Sequence, residues 1–223
     1  MSLDDPPKII ACDTLRDDVL PLADGLEVEF CEGLLHDHPE TLRATLNERI
    51  AGTPGERTIL LMYGRCSNGA TGLKAGPHRL VLPAVDDCIS LLLGSRHRYL
   101  EEFQAHPGTY YYTRGWIERV EDPYQEYLKM VPRLGEERAR MVAHMILESY
   151  TRVALIDTGT YPVEEYQHYV QTVSDFYGLP AVRLDGSARY IEKLVRGPHD
   201  GEFIVVEPGG ELDERLFWDL DES

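Results

Sequence analysis

Four side chains that can bind metals or act as nucleophiles follow four short apolar segments of the sequence. Cys12 ends KIIAC, Cys66 closely follows TILLMYG, and Cys88 follows RLVLP. His36 lies in the loop after LEVEFCE. Short segments rich in β-branched and apolar residues are typical of buried strands, and residues that follow parallel strands meet at the carboxyl edge of the sheet. The sequence therefore predicts that these four side chains converge.

Three cysteines and one histidine form a donor set that suits a soft or borderline metal. Thiolate and imidazole ligands favour zinc. Cys12, Cys66 and Cys88 alone are an alternative, because three thiolates can hold a [4Fe-4S] cluster and leave its fourth iron open to substrate. A catalytic thiol without metal and ordinary burial of free cysteines stay open as well. Cys31 also ends a predicted strand and could replace His36.

Glycines surround Cys66 in the sequence. Residues 63–73 read YGRCSNGATGL. Glycine beyond the end of a strand lets the backbone approach a ligand closely. We therefore expect Gly64 and Gly72 to bind a cofactor.

Three later segments contribute candidate residues of the same site. GTYYYTRGW, residues 108–116, predicts a strand that leads into a binding loop, with Tyr111 as a catalytic candidate and Trp116 as a wall for the ligand. Asp157 ends RVALID and is a candidate base or metal ligand. Ser187 begins a predicted helix, where an anionic part of a cofactor can bind, although a helix cap explains the same residue type.

The order of the predicted elements indicates the fold class. Strand-like and helix-like segments alternate along the chain, which predicts an α/β fold with mainly parallel sheets. We expect two Rossmann-like lobes with a cleft between them. The N-terminal lobe, which carries the cysteines, covers residues 1–106, and the C-terminal lobe covers residues 107–223.

One predicted helix of the second lobe is amphipathic. The segment GEERARMVAHMILESY has helical spacing. The apolar stripe along this helix comprises Met141, His144, Met145 and Leu147 or Glu148. We expect this stripe to pack in the core.

Composition excludes several classes of partner. The 223 residues carry 39 acidic against 22 basic side chains, a net charge of −17, which opposes binding to nucleic acids and to anionic membranes. No apolar run reaches the roughly 18 to 20 residues that span a bilayer. The start, MSLDDPPK, is not typical of a signal peptide. We expect a cytoplasmic protein with free thiols.

Common catalytic motifs are missing from the sequence. It contains no GxGxxG, Walker, HExxH or GxSxG pattern, so the usual nucleotide-binding and hydrolase assignments are not supported. The triplet DTG at residues 157–159 occurs in aspartic proteases, but those enzymes need two such motifs or a small all-β dimer. An aspartic protease is therefore rejected.

The ordered set of segments resembles the domain-of-unknown-function family 1638 from about Lys8 to Gly210. The segments that carry the resemblance are ACD, LLHDHPETL, YGRCSNGATGL, DDCISLLLGS, GTYYYTRGW, LIDTGTY and VVEPGG. The family pattern has cysteine or histidine at the positions of Cys12, His36, Cys66 and Cys88. The resemblance implies no established activity. Its members occur beside corrinoid-dependent methyltransferases, which implies a link to one-carbon metabolism.

Two functions from different classes follow from these residues. The first is a metal-dependent enzyme or accessory protein, a transferase or lyase with zinc or an iron-sulfur cluster, that acts on a small molecule in corrinoid-linked methyl transfer. The metal would serve as a Lewis acid or would activate a soft substrate as its anion. The alternative is a non-catalytic module that binds a small molecule or a corrinoid or methyltransferase partner, with structural cysteines.

Overall fold

The computed structural model describes residues 5–217, except for the side chain of His36. Its strands form two sheets, with the orders β2-β1-β3-β4-β8 and β5-β6-β7. The bounds are β1 (Lys8–Cys12), β2 (Glu27–Cys31), β3 (Thr58–Met62), β4 (Arg79–Pro83), β5 (Thr109–Tyr112), β6 (Arg152–Asp157), β7 (Ala181–Asp185) and β8 (Phe203–Val206). All neighbouring strands pair in parallel except β4 and β8. The predicted α/β fold with mainly parallel sheets is confirmed.

Helices connect successive strands except β3 and β4, which residues 63–78 join without a helix. The α-helices are α1 (Arg16–Val19), α2 (Pro39–Ala51), α3 (Cys88–Leu92), α4 (Arg96–Ala105), α5 (Arg114–Arg119), α6 (Pro123–Leu134), α7 (Glu136–Ile146), α8 (Glu164–Tyr177) and α9 (Arg189–Arg196). Short 3₁₀ helices cover Asp13–Leu15, Leu20–Leu22, Gly33–Asp37 and Glu214–Phe217. Within the described part of the chain, no helix has the length and apolar character to cross a membrane.

The first sheet is buried on both faces. Successive residues of β1 belong to different core clusters, Ile9 on one face and Ile10 on the other. Leu42 and Leu46 of α2 cover the face of Ile10. Ile191 of α9 belongs to the cluster on the face of Ile9. Because both faces are covered, the central strands β1, β3 and β4 are apolar after their first residue, as is typical of buried parallel strands.

The end of the chain completes the first sheet. β8 runs antiparallel to β4, with Leu80 opposite Val206, and α9 packs against β3 and β4. The second sheet is continuous with the same core, because Ile156 of β6 and Tyr111 of β5 pack in the cluster that contains Ile9. The division at residue 106 stays a prediction, and the two sheets share one packed interior.

Two local predictions differ from the structure. The predicted strand at residues 108–116 ends at Tyr112, and Trp116 lies in α5. Thr113 caps the start of α5, because its hydroxyl oxygen accepts from the Trp116 N–H at 3.1 Å. The expected core stripe is wrong for Met141 and Met145, which are 62% and 68% exposed, whereas Leu147, directly after α7, is buried as expected. The buried face of α7 uses smaller residues instead, Ala139 and Ala143, which let the helix pack closely.

A buried carboxylate joins the two sheets. Asp18 of α1 is 1% exposed and accepts hydrogen bonds from Thr158 Oγ1 at 2.6 Å and from Thr160. Burial raises the pKa of Asp18, and the neighbouring Asp17 carboxylate raises it further, whereas the two threonine donors and Arg114 lower it. The net effect penalises the charged carboxylate in the folded protein.

We expect Asp18→Asn to stabilise the protein relative to wild type increasingly as pH rises above about 4. The folded-state pKa of Asp18 lies above its unfolded value of about 3.9, so wild-type folding loses free energy as pH rises from the unfolded to the folded value. Asparagine keeps an oxygen acceptor for both threonines. Urea unfolding at several pH values measures the difference.

Asp24→Asn is the matched control for this titration. The ion pair with Arg196 lowers the pKa of Asp24, so its stabilising effect is present at neutral pH and lost as pH falls. The two variants must therefore show slopes of opposite sign. Equal slopes would contradict the burial of an ionised Asp18.

Candidate functional site

Three of the predicted thiols lie at one cavity. Cys12, Cys66 and Cys88 all line a cavity of about 580 Å³ at the carboxyl edge of the first sheet. Cys12 is the last residue of β1, Cys66 lies shortly after β3, and Cys88 is the first residue of α3. The parallel connections of the strands therefore bring these residues together from separate parts of the sequence.

Cys66 stands in an unusual backbone conformation. Cys66, Ser67 and Asn68 have positive φ values of 47°, 53° and 67°. A left-handed conformation costs roughly 1–2 kcal/mol for each residue that has a Cβ, so three in succession need support from their surroundings. The Cys66 N–H donates to the Asp86 carbonyl at 3.0 Å. This bond ties the strained turn to the segment that leads into Cys88.

Backbone geometry explains why Gly64 and Gly72 are glycines. A Cβ on Gly64 would lie 2.8 Å from both the Asp87 nitrogen and the Val85 oxygen, so only glycine permits the close approach of the two loops. Gly72 has a positive φ of 72°, a backbone conformation that residues with a Cβ adopt at a cost in free energy. Neither glycine lines the cavity. Their expected contact with a cofactor stays a prediction.

Two carboxylates fix the position of Cys88. Asp87 caps α3 by accepting from the Ser90 N–H at 2.9 Å, and it accepts from the Tyr99 hydroxyl at 3.1 Å. Asp86 pairs with Arg96 at 3.1 Å. Both partners Tyr99 and Arg96 belong to α4. These contacts therefore join the thiol end of the cavity to the helix that supplies its aromatic wall.

The electrostatic environment keeps the thiols protonated. Burial, together with the Asp87 carboxylate, raises the pKa of Cys66 to about 12. The same two causes raise the pKa of Cys88, and burial raises that of Cys12. A free thiolate nucleophile is therefore disfavoured at neutral pH. A bound metal ion would reverse this preference, because a coordinating thiol is deprotonated.

Aromatic side chains also line the cavity. Tyr99 and Phe103 of α4 stack with their ring centres 6.1 Å apart. Tyr111 of β5 and Trp116 of α5 also line the cavity, and the Trp116 indole donates to the Tyr110 hydroxyl at 3.1 Å. We call the part of the lining around the thiols the thiol end and the part around Trp116 and Phe103 the aromatic end; Tyr99 links them, since its hydroxyl donates to Asp87. This composition is typical of small-molecule sites.

Two tyrosine hydroxyls at the cavity have only weak protein partners, Cys31 beside Tyr63 and Thr109 beside Tyr111. Tyr63 is 4% exposed, and both it and Tyr111 line the cavity. Neither hydroxyl oxygen makes a hydrogen bond of good geometry with another described residue. Buried polar groups without partners are costly, and a ligand with acceptor atoms would satisfy them.

Three other predicted residues lie away from the cavity. Asp157 pairs with the Arg183 guanidinium and accepts from the Gly159 N–H at 3.0 Å. The Ser187 N–H donates to the Leu92 carbonyl at 2.8 Å. Cys31 is 4% exposed and packs in the core cluster of α2. The carboxylates that border the cavity are Glu32, Asp86 and Asp87, and Asp157 is not among them.

The metal-binding set is only partly described. The side chain of His36 lies outside the described residues. Its backbone belongs to the 3₁₀ helix Gly33–Asp37, and Gly33 and Leu35 of that helix border the cavity. Among the side chains that the structure describes, no group of three or more histidine, cysteine, aspartate or glutamate residues has an arrangement ready to hold a metal ion.

The sequence reasoning missed several residues of the cavity. Tyr63 lies inside the segment that contains Cys66, and Asp87 directly precedes Cys88, so closeness in sequence was an available signal for both. Tyr99 carries no motif. Its contribution depends on how α4 packs over the sheet edge.

Comparison with known proteins identifies the family. Residues 30–195 match the family described as "Protein of unknown function (DUF1638)", a range that includes Cys66, Cys88, β3, β4 and all three strands of the second sheet. No curated protein and no solved structure matches the chain. The match covers well over half of the sequence, and the chain belongs to this family.

Proposed function

We propose that the protein is a metal-dependent enzyme or accessory protein that acts on a small molecule, with zinc or an iron-sulfur cluster held by Cys12, Cys66 and Cys88. The observation that supports this proposal is that three thiols from three separate strand ends line one cavity. Thiolate is the ligand type common to zinc and iron-sulfur sites. His36, in a segment that borders the same cavity, supplies a fourth ligand for zinc.

Metal binding requires the thiols to turn toward one point. A cysteine side chain has a single torsion between its backbone and its sulfur, so a change among staggered rotamers moves the sulfur at low cost. Cys12 currently lies 3.1 Å from the Thr14 hydroxyl. The contact between Cys12 and Thr14 breaks when the Cys12 sulfur turns toward the metal. The backbone at the three cysteines keeps its position.

The chemistry of the cavity assigns roles to the chain's own residues. The metal would polarise a substrate oxygen or hold a soft substrate as its anion. The hydroxyls of Tyr63 and Tyr111 donate hydrogen bonds to acceptor atoms of the substrate, and Trp116 and Phe103 cover its flat or apolar part. Asp87, adjacent to the thiols, takes the acid–base role that the sequence assigned to Asp157. A place in corrinoid-linked methyl transfer rests on the family resemblance alone.

Metal analysis of anaerobically purified protein tests this function. We expect about one zinc ion per chain or about four irons per chain with a broad visible absorption band. Cys66→Ser should reduce the metal content to near zero while the protein stays folded. Cys31→Ala, which changes a buried cysteine outside the cavity, should keep the full content. A wild-type protein that neither contains zinc or iron nor takes them up on reconstitution would refute the proposal.

A binding module without metal is the second candidate. It is favoured by the size of the cavity, about 580 Å³, and by the absence of a ready metal arrangement among the described side chains. In that case the metal-free protein binds a small aromatic ligand, and Trp116→Ala weakens this binding while Cys66→Ser does not. Isothermal titration calorimetry with the ligand measures both effects, because Trp116→Ala removes the fluorophore that would report binding by quenching.

A further inference from the structure

Exposed apolar side chains are concentrated on one helical hairpin. Among residues 5–217, six of the ten exposed large apolar side chains lie on α6 and α7, which pack against each other on either side of Gly135. They are Leu128, Leu134, Met141, Val142, Met145 and Ile146. We call these six the hairpin face. Apolar patches of this kind mark interaction surfaces, and methionine is enriched in them.

The charge of the hairpin distinguishes it from the rest of the chain. The whole chain has a net charge of −17, so two copies repel each other across most of their surfaces. The basic residues of α6 and α7 are Lys129, Arg133, Arg138 and Arg140, and the acidic ones are Glu126, Glu136 and Glu137. The hairpin therefore lacks the excess of acidic residues that the whole chain has. Electrostatic repulsion between two copies is weakest where their hairpins meet.

The order of charges along and just after α7 fits an antiparallel partner of the same sequence. Arg138 in α7 and Glu148 in the turn after it are both exposed, and they lie on either side of Met141, Val142, Met145 and Ile146 in the sequence. A twofold axis near the middle of the helix places Arg138 of one copy beside Glu148 of the other, twice over. Methionine and isoleucine side chains fill the space between these two ion pairs.

We propose that the hairpin face binds the hairpin face of a second copy of this chain, in a twofold symmetric dimer. A twofold contact is self-complementary, so a single sequence can satisfy both its apolar centre and its charged ends. An anionic membrane is a poorer partner because the surrounding surface is acidic. The thiol cavity takes no part in this contact, so the dimer does not depend on the proposed metal.

Sedimentation analysis of the full chain tests the dimer. We expect wild-type protein to sediment as a dimer at about 10 μM and Met141→Glu/Met145→Glu to sediment as a monomer, a loss of at least about 100-fold in affinity. Leu20→Glu is the matched control, since Leu20 is 51% exposed outside the hairpin, and it should stay dimeric. Wild-type protein that is monomeric up to about 100 μM would overturn the proposal.

Charge exchange tests the identity of the partner. Arg138→Glu alone and Glu148→Arg alone each place like charges together, and each should weaken the dimer about tenfold or more. The double exchange restores opposite charges across the twofold axis and should recover most of the wild-type affinity. A dimer whose affinity is unchanged by the single exchanges, or is not recovered by the double exchange, would overturn the antiparallel pairing.

Discussion

Gly115→Ala is expected to destabilise the protein by about 3 kcal/mol or more. A Cβ at this position would lie 1.8 Å from the Thr14 carbonyl oxygen, which is backbone and cannot turn aside. The close contact joins α5 to the 3₁₀ helix Asp13–Leu15. Since α5 carries Trp116 and this 3₁₀ helix follows Cys12, the substitution separates the aromatic end of the cavity from its thiol end. Urea unfolding followed by circular dichroism measures the loss.

Gly201→Ala is the control for this substitution. A Cβ on Gly201 meets no atom within 4 Å, and we expect a change of no more than about 0.5 kcal/mol. A second readout is the alkylation rate of Cys12 in folded protein, which should rise in Gly115→Ala because the turn beside it is displaced. Equal unfolding midpoints for the two variants would mean that α5 does not contact Thr14 as closely as the structure shows.

Asp122→Ala is expected to cost about 3–4 kcal/mol. Asp122 is 0% exposed and accepts from the Tyr124 and Gln125 N–H groups at 2.9 Å each. Its other oxygen accepts from the Tyr169 hydroxyl at 2.7 Å. Alanine removes the cap of α6 and leaves three donors without their acceptor in the tyrosine-rich core of the second sheet. Thermal and urea unfolding both report the loss.

Asp122→Asn separates the lost cap from the lost charge. Asparagine is also a good helix cap and can keep the oxygen that accepts from Tyr124 and Gln125, so we expect less than half of the alanine effect. Tyr169→Phe removes only the third hydrogen bond and should cost about 1 kcal/mol. If Asp122→Asn were as damaging as Asp122→Ala, the charge rather than the cap would dominate.

The sequence was sufficient to place the strands and the thiols that follow them. Apolar runs such as TILLM and RLVLP are local signals, and the bounds of β4 agree with the prediction residue for residue. Alternation of strands and helices indicates parallel sheets, and this topology places Cys12, Cys66 and Cys88 at one edge. Each step depends on neighbours in sequence or on a general rule of chain connection.

Solvent exposure of α7 could not be read from periodicity. The spacing of Met141 and Met145 is that of an amphipathic helix, and the sequence does not state which stripe faces the core. Ala139 and Ala143 face it instead, because α6 packs closely against α7 and small residues fit there. The sequence likewise does not state that β8 pairs with β4 at the edge of the first sheet, or that the two strands run antiparallel.

By itself the sequence determined the α/β class, the strand ends and the gathering of three thiols, because these follow from local apolar patterns and the connectivity of parallel strands. Only the tertiary structure decided which residues complete the cavity. Asp87, Tyr63 and Tyr99 border it, whereas Asp157 and Ser187 do not. The physical reason is that the cavity lies where the two sheets and their helices meet, and its lining depends on packing between residues that are far apart in the chain.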